Sequence, residues 1–396
     1  MMMIREIHWI AAAMAVCLAA GPATAEILAI MNYESKPADQ LKSLKLSGDT
    51  PRREGLAIVD VDPESPNFGR IVSDIPIDPA TVAHHIFYDR TMSKAYITGL
   101  QQPALQVLDL TRNPYRLSTI ETPPCTMGED VILDEANERW YLTCMGSGNV
   151  IVGDVASDEV VGEIELPGTY PHGLAVNTAI DRILVTSTIT PDLTGPDEFV
   201  SVVRASDLEP LGKIRMSDAE SPSKVAPVEV FFVPGAEPAT AIVTNMFGHT
   251  LEALVWDAET QDFDRETIYD FAKNGAHVPL EIYFNDDANP DRMYVTTAMK
   301  PGHLHIFDIS EGPTKPKLLK QITTADGAHH VGFTPDFKYG FVQNSFINLP
   351  DMSDGSVSVV DLESGEVIAS MDTLKNAGFN PNSLTLLPDW NHLAGH

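Results

Sequence analysis

Short stretches of alternating apolar and polar residues recur along almost the whole chain, and most end in an acidic residue followed by a turn. β-Branched and aromatic residues dominate them, and Asp, Asn, Gly and Pro separate them, which is typical of β-strands. Seven share one pattern and recur every 45 to 53 residues, at 57–60, 106–109, 151–154, 201–204, 253–257, 305–308 and 358–361. Four-stranded blades arranged in a ring have this repeat length. The sequence therefore predicts an all-β chain that folds as a seven-bladed β-propeller.

A second repeated feature precedes these stretches: an apolar strand that ends in a hydroxyl residue. The terminal residues are Thr98, Thr143, Thr186, Thr244 and Thr296, with Gln343 at the corresponding sixth position. Paired strands of this kind support four-stranded blades.

The two ends of the chain are expected to complete the ring. The C-terminal strand at 383–387 has no blade of its own after it, whereas the N-terminal segments at 27–31, 55–61 and 70–77 lack an inner strand. An open ring would leave sheet edges exposed to other chains. We therefore expect these four segments to form one blade.

The N-terminus has the features of a cleavable export signal. A short polar start that contains Arg5 leads into an apolar run at 10–20, and small residues at 23–25 precede Glu26. We expect residues 1–25 to be removed and residues 26–396 to form one propeller domain in the periplasm or outside the cell. No later segment approaches the roughly 20 apolar residues of a membrane helix, so membrane insertion is not expected.

The formal net charge of the chain is -30 at pH 7. Such a charge repels nucleic acid and favours cations or neutral small molecules as partners. Two cysteines remain after the signal, Cys125 and Cys144, in a compartment where disulfides persist. Antiparallel pairing would bring them close enough for a disulfide, and a thiolate ligand or redox pair is the alternative.

The strongest chemical signal lies at the start of the inner strands, which line the axis of a propeller. Aligned by their apolar pattern, these starts are His84-His85, Glu129-Asp130, His172-Gly173, Val228-Glu229, Leu280-Glu281, His329-His330 and Asn382-Ser383. Five of the chain's 12 histidines and four acids fall in these fourteen positions. Imidazoles and carboxylates brought together from separate blades can hold a transition metal, with geometry fixed by the ring.

We expect the metal ligands among these positions to be His84, His85, His172, His329, His330 and Glu229. Because side chains alternate along a strand, only one residue of each pair is expected to face the channel. The alternative is structural: polar residues at a propeller axis often bind only water or one another. Glu229 and Glu281 follow Pro-Val and Pro-Leu in matching frames, so they are equally open to a backbone-capping role.

At these residues the chain resembles the selenium-binding protein family, which includes copper-dependent methanethiol oxidases. Four segments carry the resemblance, in the same order: 83–89 with its histidine pair, 227–232, 301–318, and Asn380-Pro381-Asn382. The resemblance implies a propeller that binds copper through His84, His85 and His172 and oxidises a small thiol. The chain departs from the family by lacking a Cys-x-x-Cys segment between Asp89 and Thr98 and by carrying His329-His330.

The favoured hypothesis is a periplasmic, copper-dependent oxidase of a small sulfur compound, such as methanethiol. Copper would pass electrons from a bound thiolate to oxygen, while a nearby acid, Glu129 or Glu281, moves protons. One alternative is a non-enzymatic propeller that binds metal or a protein partner. Another is a lactonase or hydrolase that uses calcium or zinc, but five histidines fit copper better than calcium.

Overall fold

The computed structural model describes residues 26–37, 52–218 and 225–392, which form seven antiparallel four-stranded sheets. Successive sheets contact one another through their inner strands, and the last contacts the first, so the sheets close into a ring. The predicted seven-bladed β-propeller is therefore confirmed. The proposed export signal at 1–25 lies outside the described residues. No helix within the described ranges is long and apolar enough to cross a membrane.

The strands are numbered in chain order, and each blade is given from its inner strand outwards. Blade 1 contains β28 (Phe379–Leu386), β1 (Leu28–Ser35), β2 (Glu54–Asp60) and β3 (Ile71–Ile77). Blade 2 contains β4 (Ala83–Tyr88), β5 (Lys94–Gly99), β6 (Ala104–Asp109) and β7 (Arg116–Glu121). Blade 3 contains β8 (Gly128–Leu133), β9 (Arg139–Cys144), β10 (Asn149–Asp154) and β11 (Val160–Glu165).

Blade 4 contains β12 (Pro171–Asn177), β13 (Arg182–Ile189), β14 (Pro196–Arg204) and β15 (Pro210–Arg215). Blade 5 contains β16 (Pro227–Phe232), β17 (Thr240–Asn245), β18 (Thr250–Asp257) and β19 (Asp262–Asp270). Blade 6 contains β20 (Pro279–Phe284), β21 (Arg292–Thr297), β22 (His303–Asp308) and β23 (Lys317–Thr323). Blade 7 contains β24 (Ala328–Phe333), β25 (Tyr339–Asn344), β26 (Val357–Asp361) and β27 (Glu366–Met371). The described helical residues are a 3-10 turn at Phe271–Asn274 and helix α1 at Thr373–Asn376.

The ring closes as the sequence predicts. Strand β28, at the C-terminal end, pairs with β1 from Leu386 opposite Ala29 to Phe379 opposite Ser35. Blade 1 therefore takes its inner strand from one end of the chain and its other three strands from the other end. This pairing gives blade 1 its inner strand, so all seven blades have four strands.

The seven repeated stretches are the third strands of the seven blades, and their terminal acids bind the turn that follows. The Oδ1 of Asp109 accepts a hydrogen bond from the backbone N–H of Thr111 at 2.9 Å. Asp308 binds the N–H of Ser310 in the same way, at 2.9 Å. The acid therefore recurs because it stops the strand and stabilises the turn.

Apolar side chains fill the space between neighbouring blades rather than the axis. Between blades 2 and 3, for example, Phe87, Tyr96, Val131 and Trp140 pack in one buried cluster. The outermost strands are largely exposed, as β7 and β11 show. Because the inner strands are held on both sides by such clusters, their starts form a rigid frame around the axis.

Candidate metal centre

A bulge occurs at the same point of six inner strands. In β4, Ala83 pairs with Gly99 and Ile86 pairs with Ile97, so two residues, 84 and 85, stand opposite one. The same one-residue offset follows the first residue of β8, β12, β16, β20 and β24. An extra residue of this kind bends the strand and re-aims its side chains.

The hydroxyl column seen in the sequence holds these bulges in place. The Oγ1 of Thr98 accepts a hydrogen bond from the backbone N–H of His85 at 3.0 Å. Equivalent bonds join Asp130 to Thr143, Glu229 to Thr244, Glu281 to Thr296 and His330 to the Oε1 of Gln343. In blade 4, Thr186 instead donates to the carbonyl of Val228, in the next blade, at 2.6 Å. The repeated Thr or Gln at the end of the second strands therefore identifies in the sequence where the bulges of the inner strands lie.

The bulge overturns the expectation that only one residue of each pair faces the channel. His84 and His85 belong to one cluster of converging side chains, as do His329 and His330. Their rings lie side by side, with centroids 4.1 Å apart in both pairs. Strict alternation fails here because the extra residue interrupts the two-residue period of the strand.

One group of converging side chains, called here the four-residue set, lies between blades 2, 6 and 7. It contains His85, Glu281, His329 and His330, all buried, and one ligand atom from each lies within 4.8 Å of the others. The Nε2 of His329 is 3.0 Å from the Oε1 of Glu281. Three imidazoles and one carboxylate form a complete first shell for a four-coordinate transition metal.

The second group, the three-residue set, contains His84, His85 and Glu129 within the same 4.8 Å limit. The Nε2 of His84 lies 2.9 Å from the Oε1 of Glu129, yet neither atom has a hydrogen-bond partner of acceptable geometry. The Nε2 of His85 lies 3.7 Å from the same oxygen. Buried polar atoms that approach closely without sharing a hydrogen bond suit ligands aimed at a common ion.

His172 and Glu229, also predicted as ligands, lie outside both sets. The Nε2 of His172 is 3.3 Å from the Oε1 of Glu129, and its Nδ1 is 3.2 Å from the Oε1 of Glu229. His172 therefore links the two carboxylates of blades 3 and 5. The neighbouring acid Asp130 accepts a hydrogen bond from the backbone N–H of Leu174 and joins blade 3 to blade 4.

The histidines and acids of the cluster shift one another's pKa values. Burial alone would raise the pKa of Glu129, but the imidazoles of His84 and His172 outweigh it and hold that pKa below its usual range. Burial alone would lower the pKa of His172, but Glu129 and Glu229 outweigh it and raise that pKa to about 9. The cluster thus keeps Glu129 ionised, and a carboxylate in that form can bind a cation.

The two cysteines are joined in a disulfide between Cys125 and Cys144, as the first interpretation of the sequence proposed. Both side chains are buried in the apolar cluster between blades 2 and 3. The bond ties the segment before β8 to the end of β9. Neither sulfur is a free thiolate in this structure, so the alternative of a thiolate ligand is not supported.

A cavity that was not predicted from the sequence lies at the other end of the inner strands. Its volume is about 210 Å³, and its walls include Phe87, Val131, Leu174 and Phe231, with Arg90 at the rim. The ring of Phe87 is also 5.4 Å from the ring of His85. One residue in the wall of the cavity, Phe87, is thus in contact with the histidine cluster. The sequence signal for the cavity is the apolar residue one or two positions after each pair at a bulge, such as Val131 after Glu129-Asp130 and Phe87 after His84-His85.

Comparison with solved structures supports the fold. The chain is similar to a hypothetical selenium-binding protein from Sulfolobus tokodaii, with a TM-score of 0.65 and 13% identity over 94% of this chain and 93% of that chain. It is also similar to a protein of unknown function from Desulfotomaculum acetoxidans, with a TM-score of 0.63 and 12% identity over 90% of this chain and 98% of that chain.

A third likeness is to hydrazine synthase from Kuenenia stuttgartiensis, with a TM-score of 0.55 and 14% identity over 78% of this chain and 91% of that chain. No protein-family model matches the sequence, and no curated protein matches it. At these identities the likenesses establish the propeller fold alone.

Proposed function

We propose that this protein is a periplasmic, copper-dependent oxidase of a small thiol. The observation that carries the proposal is the four-residue set, in which three imidazoles and a carboxylate converge in a buried place. Imidazole-rich sites suit copper, zinc and iron, whereas calcium prefers oxygen ligands. The structural likeness to a selenium-binding protein supports a ligand with a soft chalcogen atom, and sulfur shares that chemistry.

The cavity supports a small substrate. Phe87, Val131 and Leu174 line it together with the polar residues Asp89 and Arg90, and its volume is about 210 Å³. Pockets for drug-sized ligands are larger, at about 300 to 1,000 Å³. A thiol with a short alkyl group is small enough for the cavity, and Phe87 in its wall contacts His85 of the cluster.

The chain's own residues then have separate roles. His85, His329, His330 and Glu281 would hold the copper, which supplies electron transfer from sulfur to oxygen when it is bound. Glu129 is ionised at neutral pH, because its pKa lies below its usual range, and can therefore accept the proton of the thiol. His172 touches Glu129 and Glu229 and fixes the direction of the Glu129 carboxylate.

The test combines metal content with oxygen consumption. We expect the full-length protein, reconstituted with copper and freed of excess metal, to retain copper and to consume oxygen when a small alkyl thiol is added. His330→Gln should lose the copper of the four-residue set and lower oxygen uptake at least tenfold. His277→Gln is the matched control, because His277 lies outside both sets and should leave both measurements unchanged.

Two results would overturn the proposal. One is a protein that binds no metal after reconstitution. The other is a copper-loaded protein that consumes no oxygen with any small thiol. The proposed export is tested separately by measuring the mass of the chain isolated from the periplasm. That chain should begin at Glu26.

A second candidate function is metal binding without turnover, coupled to a protein partner. Exposed apolar side chains project from loops of four consecutive blades on the face where the inner strands begin: Leu193, Phe247, Met299, Ile347 and Leu349. Such a patch marks interaction surfaces. This candidate predicts that Phe247→Asp leaves copper retention intact and abolishes binding of a protein partner. Neither the wild type nor the variant should consume oxygen.

A further inference from the structure

We infer that the axial cluster holds two metal ions, one in the four-residue set and one in the three-residue set, with His85 common to both. The inference rests on the metal centre of the proposed function but does not depend on oxidase activity. It adds a second metal position formed by His84, His85 and Glu129.

The length of metal–ligand bonds argues for two metal positions. Ligand bonds to a transition metal are about 2.0 to 2.2 Å long, so two ligand atoms of one ion lie at most about 4.4 Å apart. Each set meets a limit of 4.8 Å internally, but the six residues together do not form one such group. One ion at the four-residue set therefore leaves His84 and Glu129 beyond its reach.

His85 is suited to the shared position. Its ring stacks on His84 with centroids 4.1 Å apart, and on its other side it meets His330 edge-on at 4.5 Å. An imidazole carries two nitrogens that point in different directions, and both can bind metal ions at once when the ring gives up its N–H proton to solvent. The ring thus stands between the two sets, and its neighbours on either side are ligands of different sets.

The three-residue set has its own support from a neighbouring blade. Glu129 offers one oxygen, Oε1, to His84 at 2.9 Å, and the same oxygen is contacted by His172 at 3.3 Å. His172 is in turn held by Glu229. Polar partners of this kind orient metal-binding groups and are typical of built metal sites.

Charge balance points to the same number of ions. Four carboxylates lie buried at the starts of the inner strands, on Glu129, Asp130, Glu229 and Glu281. In the described part of the chain the only buried Lys or Arg is Arg182, whose guanidinium packs over the ring of Trp256. Buried charges require compensation. His172, whose imidazole lies between Glu129 and Glu229, balances one carboxylate when protonated, so a single divalent cation would leave at least one carboxylate uncompensated.

The test is a count of bound metal on the full-length protein. We expect two equivalents of Zn²⁺, a redox-inert probe, and two of Cu²⁺ after reconstitution and desalting. His84→Gln should retain one equivalent and His330→Gln should retain the other, while His277→Gln keeps both. Thermal unfolding of each apo variant shows whether it is folded before its metal is counted.

Electron paramagnetic resonance of the wild-type protein gives a second and independent readout. Two Cu²⁺ ions on either side of His85 should couple, so the wild-type spin count falls below its copper content. In His84→Gln the single remaining Cu²⁺ should give a full count of one spin per ion.

The outcomes separate the inference from the proposed function. One equivalent in the wild type, lost in both variants, overturns the second position and leaves a single metal site. Loss of both ions in each variant contradicts the division into two sets. Two equivalents without oxygen uptake uphold the inference and overturn the oxidase, whereas no metal at all overturns both.

Discussion

Buried histidines in this protein occupy two opposite environments. One favours the protonated imidazole and the other favours the neutral imidazole. His172 lies between Glu129 and Glu229, which raise its pKa to about 9 despite its burial. His305 lies instead beside the ring of Phe271, with centroids 4.8 Å apart, and its Nε2 is 3.2 Å from the Oγ1 of Thr297. Burial, aided by the nearby His303, lowers the pKa of His305 to about 3.

The His305 environment predicts a pH dependence of stability. Between about pH 6.5 and pH 3 the unfolded chain binds a proton at this residue and the folded chain does not. The free energy of unfolding must therefore fall as the pH falls through this range, by about 3 kcal/mol from this group between pH 7 and pH 4. Denaturant unfolding of the wild type and His305→Gln at several pH values measures the effect.

The His305→Gln variant cannot take up this proton, so its stability relative to the wild type should rise by about the same amount as the pH falls. Comparing the two proteins cancels the titration of the many acids they share. A difference in stability that stays constant from pH 7 to pH 4 would show that His305 does not stay neutral in the folded state.

At the scale of the element, the bulged inner strand is the unit that builds the site. Each bulge sets two residues opposite one, and a side chain of the second strand binds the freed backbone N–H in five of the six blades. The bond reaches the second residue of the pair, such as His85. The second strand therefore controls where the ligands of the first strand point.

Thr98→Val tests this control, because it removes the acceptor for the buried N–H of His85 with little change in side-chain shape. A buried donor without a partner costs about 1 to 3 kcal/mol of stability. We also expect metal affinity to fall by about 10- to 100-fold, as for other supporting contacts of metal ligands. Metal titration and urea unfolding measure the two effects.

Thr98→Ser keeps the hydroxyl and should restore most of the metal affinity. If Thr98→Val binds metal as tightly as the wild type, the hydrogen bond stabilises the strand pair without positioning His85.

At the scale of the whole molecule, the site depends on ring closure, because its ligands come from blades that are adjacent only in the closed ring. His85 of blade 2 and His330 of blade 7 stand on either side of blade 1, with ring centroids 4.5 Å apart. Between them lies β28, which is hydrogen-bonded to β1 and packs against β4 and β24. The two ends of the chain thus hold the metal-binding halves together.

Removal of residues 379–396 deletes β28 and should prevent formation of the closed ring. Leu384 and Leu386 are buried in the apolar cluster between blades 7 and 1, so their loss exposes apolar surface, and β1 is left with a free edge. We expect this chain to aggregate or to lack a cooperative thermal transition. The control is a chain that ends at His392 and keeps β28. Cooperative unfolding of the shorter chain would contradict the role of closure.

Local sequence patterns were enough to predict the all-β class, the seven blades, the closing blade and the column of histidines and acids. These features follow from local patterns, because side-chain alternation and turn residues repeat with the period of the blade. The proximity of Cys125 and Cys144 followed from the same strand pairing, and the structure joins them. Local patterns also identified Thr98 and the equivalent residues of other blades, but they did not reveal the hydrogen bonds of these residues to the bulges.

The division of this column into two sets of converging side chains depends on the folded ring. Simple alternation predicts one channel-facing histidine in each pair, whereas the bulge brings His84 and His85 to the axis together. The structure groups His85 with residues of blades 6 and 7 and places His172 and Glu229 outside both sets. Distances across the axis depend on the curvature of the ring and on side-chain rotamers, which no local stretch of sequence encodes.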